Sequence, residues 1–318
     1  MKLKLLAKGL ATFMPGMNGF LDRGTGGTDS ARYCYTVWLR HIVMAERNGL
    51  DSHPNVVAEL GPGDSLGIGL AAMVSGCDAY LALDVVQHAT TERNLQVCDD
   101  LVKLFRARTP LPGDDEFPQV KPRLECYDFP SHIYDDSRMQ DALDDSRIER
   151  ITSAVRNPNR SDSPIRYEVP WHSAGVIERE SVDMIYSQAV LEHVVDLGGT
   201  YGAMYAWLKP GGYMSHQIDF KCHGTADEWN GHWAYSDLAW RLVKGRRPYL
   251  LNRQPHSVHI AMMGEHGFEV VCDKTIRSES GLARRDLASR FRSLSADDLV
   301  TSGAFIQSVK RNPPSAER

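Results

Sequence analysis

The sequence lacks any paired cysteine motif. Its six cysteines stand at 34, 77, 98, 126, 222 and 272, with no C-x-x-C pair. That scatter excludes a disulfide scaffold or a zinc ribbon and fits a reduced, cytosolic protein. The sequence also lacks an apolar run near the ~20 residues a helix needs to cross a bilayer. Met1 to Lys8 carries lysines and leucines in the manner of a signal peptide, but Lys4 and Lys8 interrupt the apolar run and no A-x-A cleavage site follows. It lacks an excess of positive charge: 36 Lys and Arg face 41 Asp and Glu, for a net charge of −5. That balance argues against a chain that lives on nucleic-acid phosphates. It lacks internal repeats. What is there is ordinary globular material, 42% hydrophobic and 24% charged over 318 residues. This excludes a wholly disordered or fibrous chain. The length suits one large α/β domain with insertions, or two small domains.

The patterning alternates. An amphipathic helix is expected from about Leu3 to Met14, with Leu3, Leu6, Leu10 and Phe13 on one face. That face either packs on the domain or touches a membrane surface or partner. Residues 16–30 read as a Gly- and Thr-rich loop, and Ser30 caps a helix running to about Arg47. Asn55 to Leu60 is a short apolar run ending in Gly61-Pro62-Gly63, the mark of a buried strand. Ala79 to Asp84, Ile165 to Val169, Val182 to Ser187, Tyr213 to Asp219, Phe268 to Asp273 and Ala304 to Val309 read as further strands. Helices are expected over Ser65–Ser75, Thr90–Arg106, Ser137–Val155, Ala189–Val195, Gly202–Leu208 and Ser257–His266. Residues 107–165 are rich in proline and acids and too poor in apolar residues to bury a core alone, so they read as an insertion. Residues 220–254 are irregular. Strands alternating with helices imply a mostly parallel sheet covered on both faces, with its active site at the carboxyl ends of the strands.

The strongest chemical motif is Glu59-Leu60-Gly61-Pro62-Gly63-Asp64-Ser65, followed by Asp84. Glycines at a strand-to-helix turn let a ligand lie against the backbone. An acid at the end of the next strand accepts hydrogen bonds from two ribose hydroxyls. The pair indicates a nucleoside cofactor. A dinucleotide fingerprint, G-x-G-x-x-G, fails at Leu66. Glu59 would repel a pyrophosphate and suits a cofactor bearing ammonium and sulfonium groups.

Glu59-Leu60-Gly61-Pro62-Gly63 resembles the first motif of class I S-adenosylmethionine-dependent methyltransferases, with Ser65 at the usual third glycine. Ser181 to Val194 resembles their fourth strand and the turn after it, and Leu208-Lys209-Pro210-Gly211-Gly212-Tyr213 the turn into their fifth. The resemblance covers roughly residues 55–104 and 166–310. It implies a Rossmann-like sheet, mostly parallel, of seven strands with the last antiparallel. It divides the chain into an N-terminal helical extension, 1–50, and a methyltransferase domain, 51–318, with insertions at about 107–165 and 220–254. By the same resemblance S-adenosyl-L-methionine lies along Glu59, Gly61 and Gly63, with Asp84 on the ribose hydroxyls and Ser187 and Gln188 beside it. The place often used for adenine is Pro170-Trp171-His172, where Trp171 could stack; Asp128 is a rival if the third strand lies elsewhere. Tyr33-Cys34-Tyr35 would fold back over the cofactor.

Methyl transfer needs an aligned acceptor, and an alcohol acceptor needs a base. The candidates are His193 or His223, with Asp219 orienting the base; His216, in mid-strand, reads as structural. No metal is expected: residues 216 and 219 of one strand face opposite sides unless it bulges, which leaves Asp219 with His223 and another His as the alternative ligand set. From Asp227 to Arg253 aromatics mix with Asn, His and Arg. They read either as an acceptor-binding cap, using Trp229, Asn230, Trp233, Arg246 and Arg247, or as a lid sealing the core. Within the family the pattern, including Ser215 to Phe220, is similar to methyltransferases of bacterial polysaccharide gene clusters. The expected activity is O-methylation of a hydroxylated acceptor, a sugar or cell-surface glycan, in the cytoplasm or at the inner face of the membrane. The rivals are an N- or O-methyltransferase of another small metabolite and a non-catalytic, cofactor-binding partner subunit.

Overall fold

The computed structural model describes residues 3–13, 27–171, 173–247 and 250–311. Met14, residues 16–26 of the expected loop, His172 and the side chain of Leu3 lie outside the described residues. In chain order the elements are α1 (Leu3–Ala11), α2 (Ala31–Arg47), β1 (Val56–Leu60), α3 (Gly67–Val74), β2 (Ala79–Leu83), α4 (Thr91–Arg106), α5 (Asp136–Ala142), α6 (Asp145–Arg156), β3 (Ile165–Glu168), β4 (Val182–Gln188), α7 (Leu197–Trp207), β5 (Leu208–Asp219), α8 (Asp237–Lys244), α9 (His256–Glu265), β6 (Phe268–Arg277) and β7 (Thr301–Lys310). The strands form one seven-stranded sheet in the order β3-β2-β1-β4-β5-β7-β6. β1 pairs in parallel with β2 and β4, β2 with β3, and β4 with β5, whereas β7 runs antiparallel to both β5 and β6. This is the order and sense of the class I methyltransferase sheet.

Alternation along the strands sorts the core into two layers. Val57, Tyr80, Ala82, Met184, Tyr186, Tyr213 and Phe305 face a cluster with α2, α3 and α4. Ala58, Leu60, Leu83, Ile185, Met214, Ile218 and Ile306 face the opposite cluster, which includes Tyr201 and Trp207 of α7 and Met263 of α9. The contact between α3 and β2 depends on Gly69, since a Cβ there would sit 2.0 Å from the Tyr80 ring.

The expected N-terminal extension is two different things. α2 lies inside the core, with every residue from Cys34 to Ala45 buried. α1 lies on α8. Its docking face is Leu5, Leu6, Gly9 and Thr12, while Leu10 and Phe13, expected on the buried face, are each 50% exposed. Gly9 sets that choice. A Cβ on it would fall 1.9 Å from the carbonyl oxygen of Leu242, so only glycine lets the helices approach.

Local chemistry explains two further departures. The single helix expected over Ser137–Val155 is split, because Asp144 accepts the amides of Ser146 and Arg147 and starts α6 afresh. Ala189–Val195 is not a helix. Ala189 has φ +54, and α7 begins only after Asp196, whose carboxylate caps it through Gly199 N.

The 107–165 insertion shares the main core through Leu111, Val120, Leu124, Phe129, Ile133 and Tyr134. It is fastened by Arg40, wholly buried, whose guanidinium donates to the carbonyls of Val120 (2.9 Å), Pro122 (3.0 Å) and Pro112 (3.3 Å) and lies 3.1 Å from Asp114. The 220–254 stretch builds its own small cores instead. Tyr235, Trp240, Val243, Leu250 and Leu251 form one, and Trp233 with Leu287 and Phe291 forms the other.

Among the described residues no helix is long and apolar enough to cross a membrane.

Candidate active site

Because β1, β2, β4 and β5 run parallel, their carboxyl ends share one edge of the sheet. At the end of β1 the backbone turns through Gly61 (φ +66) and Gly63 (φ +75), conformations that suit glycine. Gly61 N donates to Leu83 O at 2.8 Å, which ties the turn to β2. A Cβ on Gly61 would meet Val190 Cγ2 at 2.6 Å, so the turn also packs against the one after β4. Beyond it, Leu66 N donates to Asn94 Oδ1 at 2.9 Å, and Arg93 reaches Asp64 O at 3.1 Å. Ser65 bonds to Thr28 just before α2. Of Tyr33-Cys34-Tyr35, expected to fold back over the cofactor, Cys34 Sγ lies 3.3 Å from Thr28 O and the Tyr33 hydroxyl faces Gln188, whereas Tyr35 is wholly buried and donates its hydroxyl to Thr109 O at 2.7 Å.

Glu59 sits below this turn, 1% exposed. Its carboxylate accepts from the Tyr80 and Tyr186 hydroxyls, the latter at 3.1 Å. Burial outweighs these bonds and pushes its pKa up to about 7. The carboxyl is therefore a buried node whose burial works against the negative charge that the sequence reading gave it. Asp84, 9% exposed, accepts from Val85 N at 2.7 Å and Val86 N at 3.3 Å, and Gly63 N–H also faces it. Its pKa is raised, chiefly by burial. Trp171 is half-buried beside it: Trp171 N donates to Asp84 O at 3.1 Å, and the ring stands edge-on to Trp207. β3 lies where expected, so the condition that would have favoured Asp128 does not arise. A glycine cradle that side chains would fill, beside an acid at the next strand end, fits a nucleoside cofactor.

β4 ends in Ser187 and Gln188. Ser187 is wholly buried and shares a 2.8 Å hydrogen bond with His216 Nδ1. Burial lowers the His216 pKa to about 3, which keeps it neutral and structural, as expected. Gln188 Nε2 donates to Gln217 Oε1, and its own Oε1 lies 3.4 Å from His41 Nε2. Gln217 Oε1 in turn accepts Lys121 N at 2.8 Å. Sequence reading missed this network, because its members lie on α2, two strands and an insertion.

The remaining candidates meet at the ends of β4 and β5. The His193 and His223 rings are 5.1 Å apart, and His223 Nε2 lies 3.4 Å from Asp219 Oδ2. Asp219 Oδ1 accepts Lys221 N at 2.9 Å, and contacts from His223 and Lys221 hold its pKa below the usual range against burial. His223 adopts φ +44, an uncommon backbone for a residue with a Cβ. Glu192 Oε1 lies 3.9 Å from His193 Nε2, yet neither Glu192 oxygen makes a hydrogen bond among the described residues. Glu192 is 2% exposed, and its pKa is driven well up by burial. Asn252 clamps this turn, its side chain donating to Leu191 O (2.7 Å) and Val194 O (2.9 Å) and its backbone N to Glu192 O (2.7 Å). Among the described residues no group of three or more His, Cys, Asp or Glu is placed to hold a metal ion.

The expected acceptor residues are largely spent elsewhere. Trp233 is wholly buried and donates its indole N–H to Arg253 O at 3.0 Å. Asn230, also wholly buried, both donates to Leu282 O and accepts Leu282 N, pinning the segment before β7 to the cap. Arg247, three residues past α8, donates to the carbonyls of Val243 and Lys244 at the end of that helix. Arg246 stacks over the Phe13 ring at 5.3 Å. These four hold the cap and α1 together. Trp229 alone of the five stays half-buried with an indole nitrogen that has no partner among the described residues. A cavity of about 270 Å³ lies in the cap, lined by Asp227, Glu228, Ala234, Tyr235 and Leu282.

Residues 152–215 match the family model described as Methyltransferase domain. No curated protein matches the sequence. Among solved structures, the chain is similar to one in the complex of the Haloferax volcanii Trm112 methyltransferase activator with a methyltransferase, at 14% identity, 89% of this chain, 95% of that one and a TM-score of 0.41. It is similar to an S-adenosylmethionine-dependent methyltransferase from Mesorhizobium loti at 13% identity, 80% of this chain, 90% of that one and a TM-score of 0.39. It is also similar to Haemonchus contortus phosphoethanolamine N-methyltransferase 2 in complex with S-adenosyl-L-methionine, at 15% identity, 94% of this chain, 61% of that one and a TM-score of 0.44. The matched stretch contributes β3, β4, α7 and the start of β5 to a sheet of class I order.

Proposed function

We propose that the chain is an O-methyltransferase of a hydroxylated, sugar-containing acceptor, with His223 as its general base. The observation that carries this reading is the pairing of His223 with Asp219 at the carboxyl end of β5. S-adenosylmethionine, when bound, supplies an electrophilic methyl group on a sulfonium sulfur. Gly61 and Gly63 would hold its methionine and ribose side against bare backbone, Asp84 would take the ribose hydroxyls, and Trp171 would lie against the adenine. Glu59 acts from beneath the turn through Tyr80 and Tyr186. Gln188 closes the floor, and Ser187 braces it through His216.

Asp219 stays ionised and sits on the Nε2 side of His223, which leaves Nδ1 to receive the proton of the acceptor hydroxyl. The developing imidazolium is stabilised by the Asp219 carboxylate. The His193 ring, tilted 53° to that of His223 with centroids 5.1 Å apart, limits how the latter turns. A sugar ring is supported by the cap cavity, where carboxylates stand beside the Tyr235 edge. Its size is below the ~300–1,000 Å³ of drug-sized sites and suits a single ring. A cytoplasmic enzyme working on a glycan precursor is part of this proposal.

The test is calorimetric and then catalytic. S-adenosylhomocysteine should bind the full chain, and labelled S-adenosylmethionine should pass label to a sugar pool. A chain that binds neither compound overturns the reading; label appearing only on amine-bearing metabolites moves it to N-methylation.

A further inference from the structure

With Arg246 engaged by Phe13 and Arg247 by the α8 carbonyls, two lysines stand at the tip of β5. Lys221 lies two residues past Asp219 and is half-exposed. Its ammonium stands 3.9 Å from Asp219 Oδ2, beyond hydrogen-bond length. Lys121 arrives from the 107–165 insertion. Its backbone N–H is fixed to Gln217 of β5 at 2.8 Å, which anchors it at the same strand end. Its ammonium donates to the Pro118 carbonyl at 2.6 Å and pairs with no carboxylate among the described residues.

The groups facing Lys121 are Arg40, Arg123, Lys221 and Asp114. Asp114 is already shared, 3.1 Å from Arg40 and 3.2 Å from Arg123, and it accepts the Tyr127 hydroxyl. Asp219 is likewise shared between Lys221 and His223. Two carboxylates, Asp114 and Asp219, thus stand against four cations, Arg40, Arg123, Lys121 and Lys221, in a chain whose net charge is −5. Burial and the neighbouring cations lower the Lys121 pKa, as expected of a site short of negative charge.

We propose that the acceptor carries an anionic group, phosphate or carboxylate, and that Lys121 and Lys221 receive it beside the tip of β5. The proposal rests on the methyltransferase reading above and narrows its substrate class. The sugar ring lies toward the cap, the anion toward the insertion, and the hydroxyl to be methylated between them at His223. Ammonium groups suit this task because an anion is met by point charges on flexible stems.

The experiment titrates the full chain with inorganic phosphate and, separately, with sodium acetate at constant ionic strength, with and without saturating S-adenosylhomocysteine. One of the two anions should bind with a Kd of ~1–10 mM, weakened about tenfold in Lys121→Gln and in Lys221→Gln. Lys221→Arg should keep the binding, and Arg246→Gln should leave it unchanged. S-adenosylhomocysteine affinity should be the same in all four variants. Phosphate and acetate responses separate the two anion types. Anion binding that is absent, or equal in wild type and both Gln variants, overturns the proposal. Failure of S-adenosylhomocysteine to bind would instead strike the methyltransferase reading, while the anion titration without it still reports on the lysines.

Discussion

At the tips of β1 and β2 the polar groups are settled before any ligand arrives. Glu59 is held by two tyrosine hydroxyls, and Asp84 by the amides that follow it. The glycine turn is tied to Leu83, Asn94 and Thr28 through residues nearby in the fold. The tips of β4 and β5 are built the other way. Among the described residues the buried Glu192 carboxylate has no hydrogen bond, His223 holds an uncommon backbone angle, and the turn that carries Glu192 is clamped from outside by Asn252. A ready-made cradle needs rigidity in advance, because bound and free forms then differ little in entropy. Under the proposed function the β4–β5 tips are the reacting edge, and such an edge tolerates unsatisfied groups, because strain and perturbed carboxylates gather where chemistry is done.

That contrast can be broken by separating binding from turnover. His223→Ala should lower turnover on the order of 10²–10⁴-fold at saturating cofactor. S-adenosylhomocysteine affinity by calorimetry should stay at the wild-type value. Gly61→Ala should do the reverse, weakening that affinity by roughly 100-fold, since the new Cβ meets Val190 and the φ of +66 disfavours alanine. If both variants impair both readouts alike, the two edges are not distinct.

Glu59 sharpens the contrast through pH. Its folded pKa is raised to about 7 from 4.5, so the native state keeps a proton that the unfolded chain releases between those values. Its stabilising share is fully present below about pH 4.5 and is lost as pH rises toward 7. Glu59→Gln should flatten the fall in stability across that window, by an amount on the order of 2–3 kcal/mol, measured by urea unfolding at successive pH values. An unchanged slope would show that the carboxyl is ionised in the fold. The smallest effect is expected at the clamp. Asn252→Ala should reduce kcat about tenfold with unchanged S-adenosylhomocysteine affinity, the pattern of a positioning residue.

The cradle edge was the more legible in sequence. β1 to β4 fell within one residue of their expected bounds, as short apolar runs bounded by glycine, proline or charge, whereas β5 takes in residues 209–212, expected as a turn, and β6 and β7 run beyond their apolar stretches. Glu59, Gly61, Gly63 and Asp84 sit within one β-α-β unit, so their spacing alone brings them together. The reacting edge resisted for physical reasons. The supposed helix after β4 is broken by the positive φ of Ala189, which no local pattern marks. Trp233, Asn230, Arg246 and Arg247 have the residue types of a sugar site, yet hydrogen bonds to Arg253, Leu282 and the end of α8, and stacking on Phe13, claim them. Sequence shows what a side chain can bind, and only the fold shows what has already bound it. Lys121, nearly a hundred residues from Asp219, reaches the same edge through one glutamine.

The close seating of Gly9 on the carbonyls of Leu242 and Val243 makes the first dozen residues a latch on a stretch more than two hundred positions away. A truncation that spares every motif of the cradle would still uncover Trp240, Val243 and Leu251, which lie under that helix in one small cluster. Fusions at the amino end would pull on the same fastening, so a tag placed there reports on the seating of α8 as much as on the protein that bears it.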